Sequence, residues 1–272
     1  MSAAAAANHS EDSVVRLTLK DLEEIRLSAM KKIVDFALPQ GAHVFGGYER
    51  DRLAGDMPND IDLFFPFEKC LTRVVLQKIP QCEWRYYLGN ETINRFLDDV
   101  KLMGPVRHVP NSYEHNNCLT CRSEVEIPIM DTYHKPIIIW MDMTRPSECS
   151  PRLSDEDVAE FRARYTNAVV ADMDVNMAER YMVNGKIVCG SKNPKCNYEE
   201  IVAHCRAKQF VVLDSTGAPI QKHTSSDCCI DRNTPQGKLI VQRIAKMQAR
   251  GWTSLNEPCA NKLCVVSSHL IR

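Results

Sequence analysis

The sequence predicts an α+β fold in two units, and three observations support this prediction. The chain has 272 residues, enough for about two domains at roughly 150 residues each. The first half alternates strand-like apolar runs with helical patterns, and the second half is mostly helical in periodicity. We therefore expect a disordered tail over residues 1–13, a head over residues 14–148 and a smaller, mostly helical unit with short strands over residues 149–272.

The head begins with a helical pattern over residues 20–34, and Thr18 followed by Asp21 is typical of a capping box at its start. The next predicted elements are a strand, a helix and a strand, over residues 41–45, 48–54 and 60–65. Gly46-Gly47 forms the turn between the first of these strands and the helix, which ends at Gly55.

The rest of the chain gives weaker patterns. Further helices are predicted over residues 67–79, 92–103, 154–164, 176–182, 198–208 and 234–250. Further strands are predicted over residues 124–130, 136–144, 167–174 and 210–213, of which the first two form a hairpin across a polar turn. The turn-rich segment 144–151 is the predicted boundary between the units.

Charge and hydropathy limit the classes of protein. With 34 Lys and Arg against 35 Asp and Glu, the formal charge is −1, so the chain lacks the basic surplus of proteins that hold long nucleic acids. A small phosphate-bearing ligand or local contact with a short RNA fits better. The apolar runs are far shorter than the ~20 residues that cross a bilayer. The N-terminus lacks the basic region of a signal peptide. We therefore expect a cytoplasmic protein with no membrane partner.

Cysteine is the unusual component of the composition. The chain has twelve, at positions 70, 82, 118, 121, 149, 189, 196, 205, 228, 229, 259 and 264. Without an export signal, reduced thiols are the favoured interpretation, with a disulfide as an alternative. Cys118 and Cys121 have the spacing of half a structural zinc site. The other ligands would be Cys259 and Cys264, His115, or the Cys228-Cys229 pair. No local motif marks a catalytic cysteine–histidine pair.

Two carboxylates form the strongest candidate site. Asp60 and Asp62 are two residues apart on an otherwise apolar strand, so both side chains point to one face of the sheet. Such a pair is a platform for two divalent ions, as in phosphoryl or nucleotidyl transfer, and oxygen ligands favour Mg²⁺ or Mn²⁺. Asp142, on the same strand face as Trp140 and Ile138, is the best third ligand. The competing candidates are Asp131, Glu124 and Glu126.

Each part of this pattern also has an ordinary structural interpretation. A lone Asp-x-Asp is more often a solvated strand edge or a cap, and Gly46-Gly47 by itself is a turn. The absence of side chains at those glycines would, however, let backbone N–H groups approach a phosphate. Packing alone does not readily explain a glycine turn, an Asp-x-Asp strand and a later strand bearing Asp142 in one chain.

Residues 46–63, Gly-Gly-Tyr-Glu-Arg-Asp-Arg-Leu-Ala-Gly-Asp-Met-Pro-Asn-Asp-Ile-Asp-Leu, resemble the signature of the DNA polymerase beta-like nucleotidyltransferase superfamily. The segment is most similar to the head of class II CCA-adding enzymes and bacterial poly(A) polymerases. This resemblance implies a small mixed sheet flanked by helices, Mg²⁺ on Asp60 and Asp62, and a nucleoside triphosphate along Gly46-Gly47. It also implies that Arg50 and Asp51 lie at the nucleotide site.

Weaker resemblance continues downstream. Residues 172–177 are similar to an Arg-Asp-Phe-Thr-x-Asn-Ala segment of the family, which implies that Asp174 or Asp172, with Asn176, lines the nucleotide pocket. Residues 181–188 resemble the hairpin that follows it. Residues 241–252 resemble the neck helix, which implies that Arg243 and Lys246 face phosphates; a solvated basic helix face is the alternative.

The chain also departs from the family pattern. Glu49 replaces a small apolar residue, so we expect the helix after the glycines to pack or pair differently. Val169-Val170-Ala171 replaces an Arg-Arg pair that contacts triphosphate. About twenty residues follow the neck-like helix, where CCA-adding enzymes carry the Glu-Asp-x-x-Arg helix that selects bases. We therefore expect neither base-templated CCA addition nor a body that grips the tRNA elbow.

Two classes of function follow. The first is a metal-dependent nucleotidyltransferase that moves a nucleoside monophosphate to an acceptor hydroxyl and releases pyrophosphate. The favoured acceptor is an RNA 3′ end such as that of tRNA, with a protein or a small molecule as alternatives. The second is a catalytically inactive module that binds nucleotide or RNA. Two carboxylates buried on an apolar strand favour the enzyme, because without a cation their burial costs several kcal/mol.

Overall fold

A computed structural model describes residues 17–65, 91–115, 118–129, 134–146, 172–214, 216–220 and 230–271. Several predictions fall outside these residues: the tail over residues 1–13, the helices over residues 67–79 and 154–164, the first part of the strand over residues 167–174, and Asp131.

The described residues form five α-helices, two short 3₁₀ turns and nine strands. The α-helices are α1 (Leu19–Ala37), α2 (Gly46–Ala54), α3 (Glu91–Lys101), α4 (Tyr198–Ala207) and α5 (Pro235–Ala249). The 3₁₀ turns are Leu38–Gln40 and Asp174–Met177. The strands are β1 (His43–Phe45), β2 (Asp60–Phe64), β3 (Val106–His115), β4 (Cys118–Ile127), β5 (Ile137–Pro146), β6 (Ala178–Val183), β7 (Lys186–Ser191), β8 (Gln209–Phe210) and β9 (Thr253–Ser254).

Seven of the strands form one mixed sheet in the order β3-β4-β5-β2-β1-β6-β7. Only β2 and β5 are parallel to each other, and every other neighbouring pair in this sheet is antiparallel. Strands β8 and β9 form a separate parallel pair. The predicted α+β class, with a mixed sheet flanked by helices, is confirmed.

Helix starts agree closely with the local sequence signals. Thr18 and Asp21 form the predicted capping box: the Thr18 side chain accepts from the Asp21 N–H, and the Asp21 carboxylate accepts from the Thr18 N–H. Thr234 caps α5 by accepting from the Gly237 N–H, directly before Pro235 at the first helical position. These contacts explain why both helices begin within a residue or so of the predicted start.

Two sequence-based predictions in the sheet need correction. The segment after α3, which gives no clear pattern, contains the ten-residue strand β3 on the sheet edge. The helix predicted over residues 176–182 is wrong, because only Asp174–Met177 is helical and β6 follows directly. Asn184 and Gly185 both have positive φ, which suits a two-residue hairpin turn, and they pair β6 with β7. The hairpin implied over residues 181–188 is therefore present.

The buried side chains form two hydrophobic clusters. The first packs α1 and α3 against one face of the large sheet and includes Met30, Phe96, Ile61, Leu63 and Met141. The second packs α4 and α5 around residues 173–178 and the C-terminal segment, and partly buries Leu53 and Ala54 of α2. Strands β6 and β7 lie beyond residue 148 yet belong to the same sheet as β1. The domain boundary near residue 148 stays a prediction.

Helix α1 is 19 residues long, and charged side chains recur along its length. None of the described helices is both long enough and apolar enough to cross a bilayer.

Candidate active site

Three carboxylates lie on the face of the large sheet that α1 and α3 leave uncovered. In the parallel pair of β2 and β5, Asp62 lies directly opposite Asp142, and Asp60 lies opposite Trp140. The intervening Ile61 and Leu63 are fully buried in the first hydrophobic cluster. The alternation of strand side chains therefore turns Asp60, Asp62 and Asp142 to the other face together.

The glycine turn holds Asp62 from the side. Gly47 donates its N–H to Asp62 Oδ2 at 3.2 Å, and Gly46 has a φ of +67°. A β-carbon on Gly46 would lie 2.7 Å from Asp62 Oδ2, so only glycine fits this close approach. The turn thus clamps a carboxylate in this structure, next to the N-terminus of α2.

The charges on these carboxylates are not fully compensated. Burial raises the pKa of Asp62 to about 7, and the negative charges of Asp60 and Asp142 add to this effect. Burial also raises the pKa of Asp60, again with a contribution from Asp142. Such shifts are typical of functional sites where like charges share one cavity or face.

An arginine from the neighbouring strand β4 contacts this face. Arg122 lies opposite Asp142 in the β4–β5 register and forms a two-bond fork with it, Nε to Oδ1 at 2.6 Å and Nη2 to Oδ2 at 2.5 Å. Its Nη2 is also 3.8 Å from Asp60 Oδ2, and its guanidinium lies 5.8 Å from the Trp140 ring centre. The side chain therefore bridges two of the three carboxylates.

The carboxylates fit a divalent cation in their chemistry, since all three offer oxygen ligands on one face and the charge of Asp142 raises the pKa of the other two. As they lie here, however, they do not converge on one point. Among the residues that the structure describes, no three His, Cys, Asp or Glu side chains form a group that could hold a metal ion. The fork with Arg122 engages both oxygens of Asp142 and accounts for its orientation.

The competing third ligands are placed less well. Glu124 lies opposite Trp140 and Glu126 opposite Ile138, so both share the face but are displaced from Asp62 along the strands. Glu126 also forms an ion pair with Arg107 at 2.6 Å. Asp142 is the described residue that the register sets against Asp62.

Arg50 joins the glycine turn to the residues after it. Its Nε donates to Asp51 Oδ1 at 2.7 Å, and its Nη1 donates to Asn176 Oδ1 at 2.8 Å. Its Nη2 lies 3.7 Å from the position that a β-carbon on Gly47 would take. Its positive charge also acts on the pKa of Asp60. The structure therefore places Arg50 beside the glycine turn, and its role in nucleotide binding stays a prediction.

Of the other predicted nucleotide-binding residues, Lys246 is exposed and Asp51 is buried. Lys246, on α5, is near enough to Asp60 for its positive charge to lower the pKa of that carboxyl. Asp51 is buried between Arg50 and Arg250, whose Nη2 is 3.1 Å from Asp51 Oδ1. Asp51 thus acts as an internal anion.

Asp172 and Asp174 have different surroundings. Asn176 Nδ2 donates to Asp172 Oδ1 at 3.2 Å, and Asp172 is paired with Arg243. These contacts connect Arg243 through Asp172 and Asn176 to Arg50.

Asp174 is instead engaged by its own neighbours. Its Oδ1 accepts from the N–H groups of Val175 and Val211, and its Oδ2 lies 2.5 Å from His204 Nδ1. The hydrogen bond to Asp174 raises the pKa of His204 above its ordinary value. Of the two aspartates, Asp172 is therefore the one connected to Arg50.

Lys192 is a site residue that the sequence did not reveal. It follows β7, is 8% exposed, and its Nζ lies 4.4 Å from the centre of the Phe45 ring, next to the glycine turn. Burial lowers its pKa to about 8 against the opposing effect of Asp62. Only the pairing of β6 with β1 brings this lysine to the turn, so no local signal could have identified it.

Arg122 is a second residue that the sequence-based site lacks, although a signal for it exists. The predicted strand begins at residue 124, whereas the alternation of buried and partly exposed residues runs from Cys121 to Ile127. Extending that alternation back by two residues puts Arg122 on the face of Glu124 and Asp142.

Two of the twelve cysteines bear on the prediction of reduced thiols. Cys196 and Cys205 are free thiols, and burial raises the pKa of each to about 12, which keeps them protonated and unreactive. The zinc hypothesis depends on Cys118, whose side chain lies outside the described residues. It stays a prediction.

Comparison with known proteins identifies a family whose model matches this chain. The model of a family of unknown function, DUF5769, matches residues 106–228 and 221–271, more than half of the chain. The matched residues include Arg122, Asp142 and Lys192, and they begin after the glycine turn and β2.

Two proteins of Acanthamoeba polyphaga mimivirus are similar over shorter stretches. The uncharacterized protein R651 is 31% identical over 101 residues, which cover 29% of this chain and 20% of R651. The uncharacterized protein L685 is 30% identical over 96 residues, which cover 30% of this chain and 28% of L685. The match thus spans less than a third of either relative.

Solved structures of low overall similarity include CCA-adding enzymes. The Thermotoga maritima CCA-adding enzyme complexed with tRNA-CCA is 13% identical, with a TM-score of 0.36, over 92% of this chain and 42% of that one. A CCA-adding enzyme in complex with ATP is 13% identical, with a TM-score of 0.32, over 87% of this chain and 46% of that one. The chain therefore spans less than half the length of these enzymes.

Proposed function

The chain belongs to DUF5769, a family of unknown function, and from the site itself we propose that it is a metal-dependent nucleotidyltransferase. In the proposed reaction, an acceptor hydroxyl attacks the α-phosphate of a nucleoside triphosphate, and pyrophosphate leaves. One observation carries the proposal: Asp62, held by the glycine turn, lies opposite Asp142 and beside Asp60 with its charge only partly compensated.

Asp60, Asp62 and Asp142 would hold Mg²⁺ or Mn²⁺ in this proposal. The cation, when bound, would activate the attacking hydroxyl and stabilise the leaving oxygen. The carboxylate nearest the acceptor would take its proton. Gly46 and Gly47 keep the approach to Asp62 free of side chains, and Arg50 and Lys192 set positive charge beside that approach.

An RNA 3′ end, such as that of tRNA, is the acceptor that we favour. Support comes from the sequence resemblance of residues 46–63 and from α5, whose exposed side includes Lys238, Arg243 and Lys246. Positive charge on one helix face favours contact with a phosphate backbone. Lys246 is near enough to Asp60 for its charge to act on the pKa of that carboxyl, so an RNA bound by Lys246 would lie close to the carboxylates.

The test is incorporation of label from each nucleoside triphosphate into a mixed tRNA pool with Mg²⁺, together with release of pyrophosphate. We expect Asp60→Asn and Asp62→Asn to lower both rates by about 100-fold or more, because the charge that holds the cation is lost. Asp98→Asn is the matched control. Asp98 is an exposed carboxylate of α3 paired with Lys101, and its loss should leave both rates unchanged.

A nucleotide-binding module without catalysis is the second candidate, and the fork between Arg122 and Asp142 favours it. An arginine can neutralise part of the carboxylate charge without any metal. In that case nucleoside triphosphates would bind but release no pyrophosphate, whichever acceptor is present, and Asp60→Asn would bind nucleotide as the wild type does. That result would contradict the proposed enzyme.

A further inference from the structure

Among the described residues, Arg122 forms a close charged contact on the carboxylate face. Its Nε and Nη2 engage both oxygens of Asp142, and Nη2 reaches toward Asp60 Oδ2 at 3.8 Å. The Asp142 side chain is 14% exposed, so the pair is largely shielded from water on the aspartate side. A two-bond fork of this kind fixes the carboxylate orientation as well as its charge.

This contact uses the atoms that a divalent cation would need. Both oxygens of Asp142 point to the guanidinium, and no metal-holding group of three side chains exists among the described residues in this arrangement. One guanidinium supplies a single positive charge against three carboxylates, and Asp62 remains the least compensated of them. The arginine is therefore a partial substitute for a doubly charged ion.

The geometry also gives Arg122 a position to move to. Its side chain is 39% exposed, and its guanidinium already lies 5.8 Å from the Trp140 ring centre. An exposed arginine can turn its guanidinium toward water while its aliphatic stem stays against an aromatic ring. On release the guanidinium would reach water, and the incoming cation would take over the charge of the largely buried Asp142.

We propose that Arg122 is a built-in counter-cation that a divalent cation must displace from Asp142 and Asp60 before the site is complete. This inference rests on the proposed function, since it assumes a cation on the same carboxylates. Arg122 is then a positioning residue: it orients Asp142 in the metal-free protein and sets the metal concentration at which the site fills.

The test is the affinity of the protein for Mn²⁺ without nucleotide, measured by calorimetry and by the loss of the electron spin resonance signal of free Mn²⁺. We expect Arg122→Gln to bind Mn²⁺ about three- to tenfold more tightly than the wild type, because the competing ion pair is gone. Arg122→Lys keeps the charge but loses the two-bond fork, and it should also bind more tightly. Arg107→Gln, which removes an exposed arginine paired with Glu126 on the same sheet, should bind as the wild type does.

The outcomes separate this inference from the proposed function. Binding that Asp62→Asn abolishes but that Arg122→Gln leaves unchanged or weakens would overturn the displacement and preserve the metal site. Tighter binding by Arg122→Gln with wild-type binding by Arg122→Lys would indicate a general charge effect, and it too would overturn the displacement. If neither the wild type nor any variant binds Mn²⁺, both proposals fail. Thermal unfolding of each variant shows that it is folded.

Discussion

Asp62 has surroundings that disfavour a charged carboxylate. It is held against a glycine turn, faces Asp142 across two parallel strands, and has Asp60 two residues away. Burial and these two charges together favour its protonated form, with a pKa of about 7. The folded protein therefore retains a proton on this residue that an unfolded chain would lose near the ordinary value of 3.8.

This difference predicts how stability depends on pH. Because the folded state binds the proton more tightly, the contribution to stability is fully present below about pH 4 and is lost as the pH rises toward 7. In metal-free buffer, Asp62→Asn should exceed the wild type in free energy of unfolding by about 2 kcal/mol at pH 8, a value reduced for partial solvent exposure. Near pH 4 the advantage should vanish. Urea unfolding at both pH values measures it, and an equal difference at both would contradict the account.

At the scale of elements, the glycine turn determines how α2 meets β2. Gly46 combines a positive φ with an approach to Asp62 that leaves no space for a β-carbon. Gly41 offers a comparison, since its φ is +82° but nothing lies within 4 Å of the position that a β-carbon would take. Comparing substitutions at the two glycines therefore separates the cost of backbone strain from the cost of a steric clash with Asp62.

Gly46→Ala and Gly41→Ala should accordingly differ. Both substitutions incur the cost of a left-handed backbone, about 1–2 kcal/mol. Gly46→Ala also pushes against Asp62, so we expect a further loss of about 1–2 kcal/mol and loss of nucleotidyl transfer. Gly41→Ala should retain activity. Thermal unfolding and the incorporation assay check this, and equal losses in both variants would show that the close approach to Asp62 is unimportant.

The elements also show where sequence reasoning works. Apolar periodicity predicted α1, α4 and α5 closely, and alternation predicted that Asp60 and Asp62 share one face of their strand, because these signals are local. That Asp142 joins them depends on the pairing of β2 with β5. Sheet order is not local. Lys192 reaches the glycine turn only through the pairing of β6 with β1, and β3 is identified as a strand only by its pairing with β4.

Glu49 also shows that local sequence signals do not identify distant partners. The sequence predicts that this residue makes the helix after the glycines pack or pair differently from its family. In the structure Glu49 is 1% exposed, and its two carboxylate oxygens pair with Arg52 and with Arg180 of β6. The local departure was visible in the sequence, but its partner on a strand about 130 residues away was not.

At the scale of the whole molecule, helix α2 connects the two hydrophobic clusters through charge as well as packing. Its Asp51 is 1% exposed, accepts a hydrogen bond from Arg50 and forms an ion pair with Arg250, the residue after α5. Asp56, just beyond the helix, pairs with Lys208 at 2.7 Å, directly after α4. The segment that forms the glycine turn is thus held to the second cluster by buried and half-buried ion pairs.

Asp51→Asn should therefore destabilise the whole molecule. The substitution leaves Arg50 and Arg250 without their shared anion, and breaking one side of a buried ion pair costs about 3 kcal/mol or more. Asp98→Asn removes an exposed partner of Lys101 and should cost less than about 1 kcal/mol. Urea unfolding followed by far-UV circular dichroism and by tryptophan fluorescence measures both, since Trp252 is buried in the second cluster. If Asp51→Asn left the unfolding midpoint of both signals unchanged, the ion pair would not stabilise the junction, and apolar packing of Leu53 and Ala54 alone would hold α2 against the second cluster.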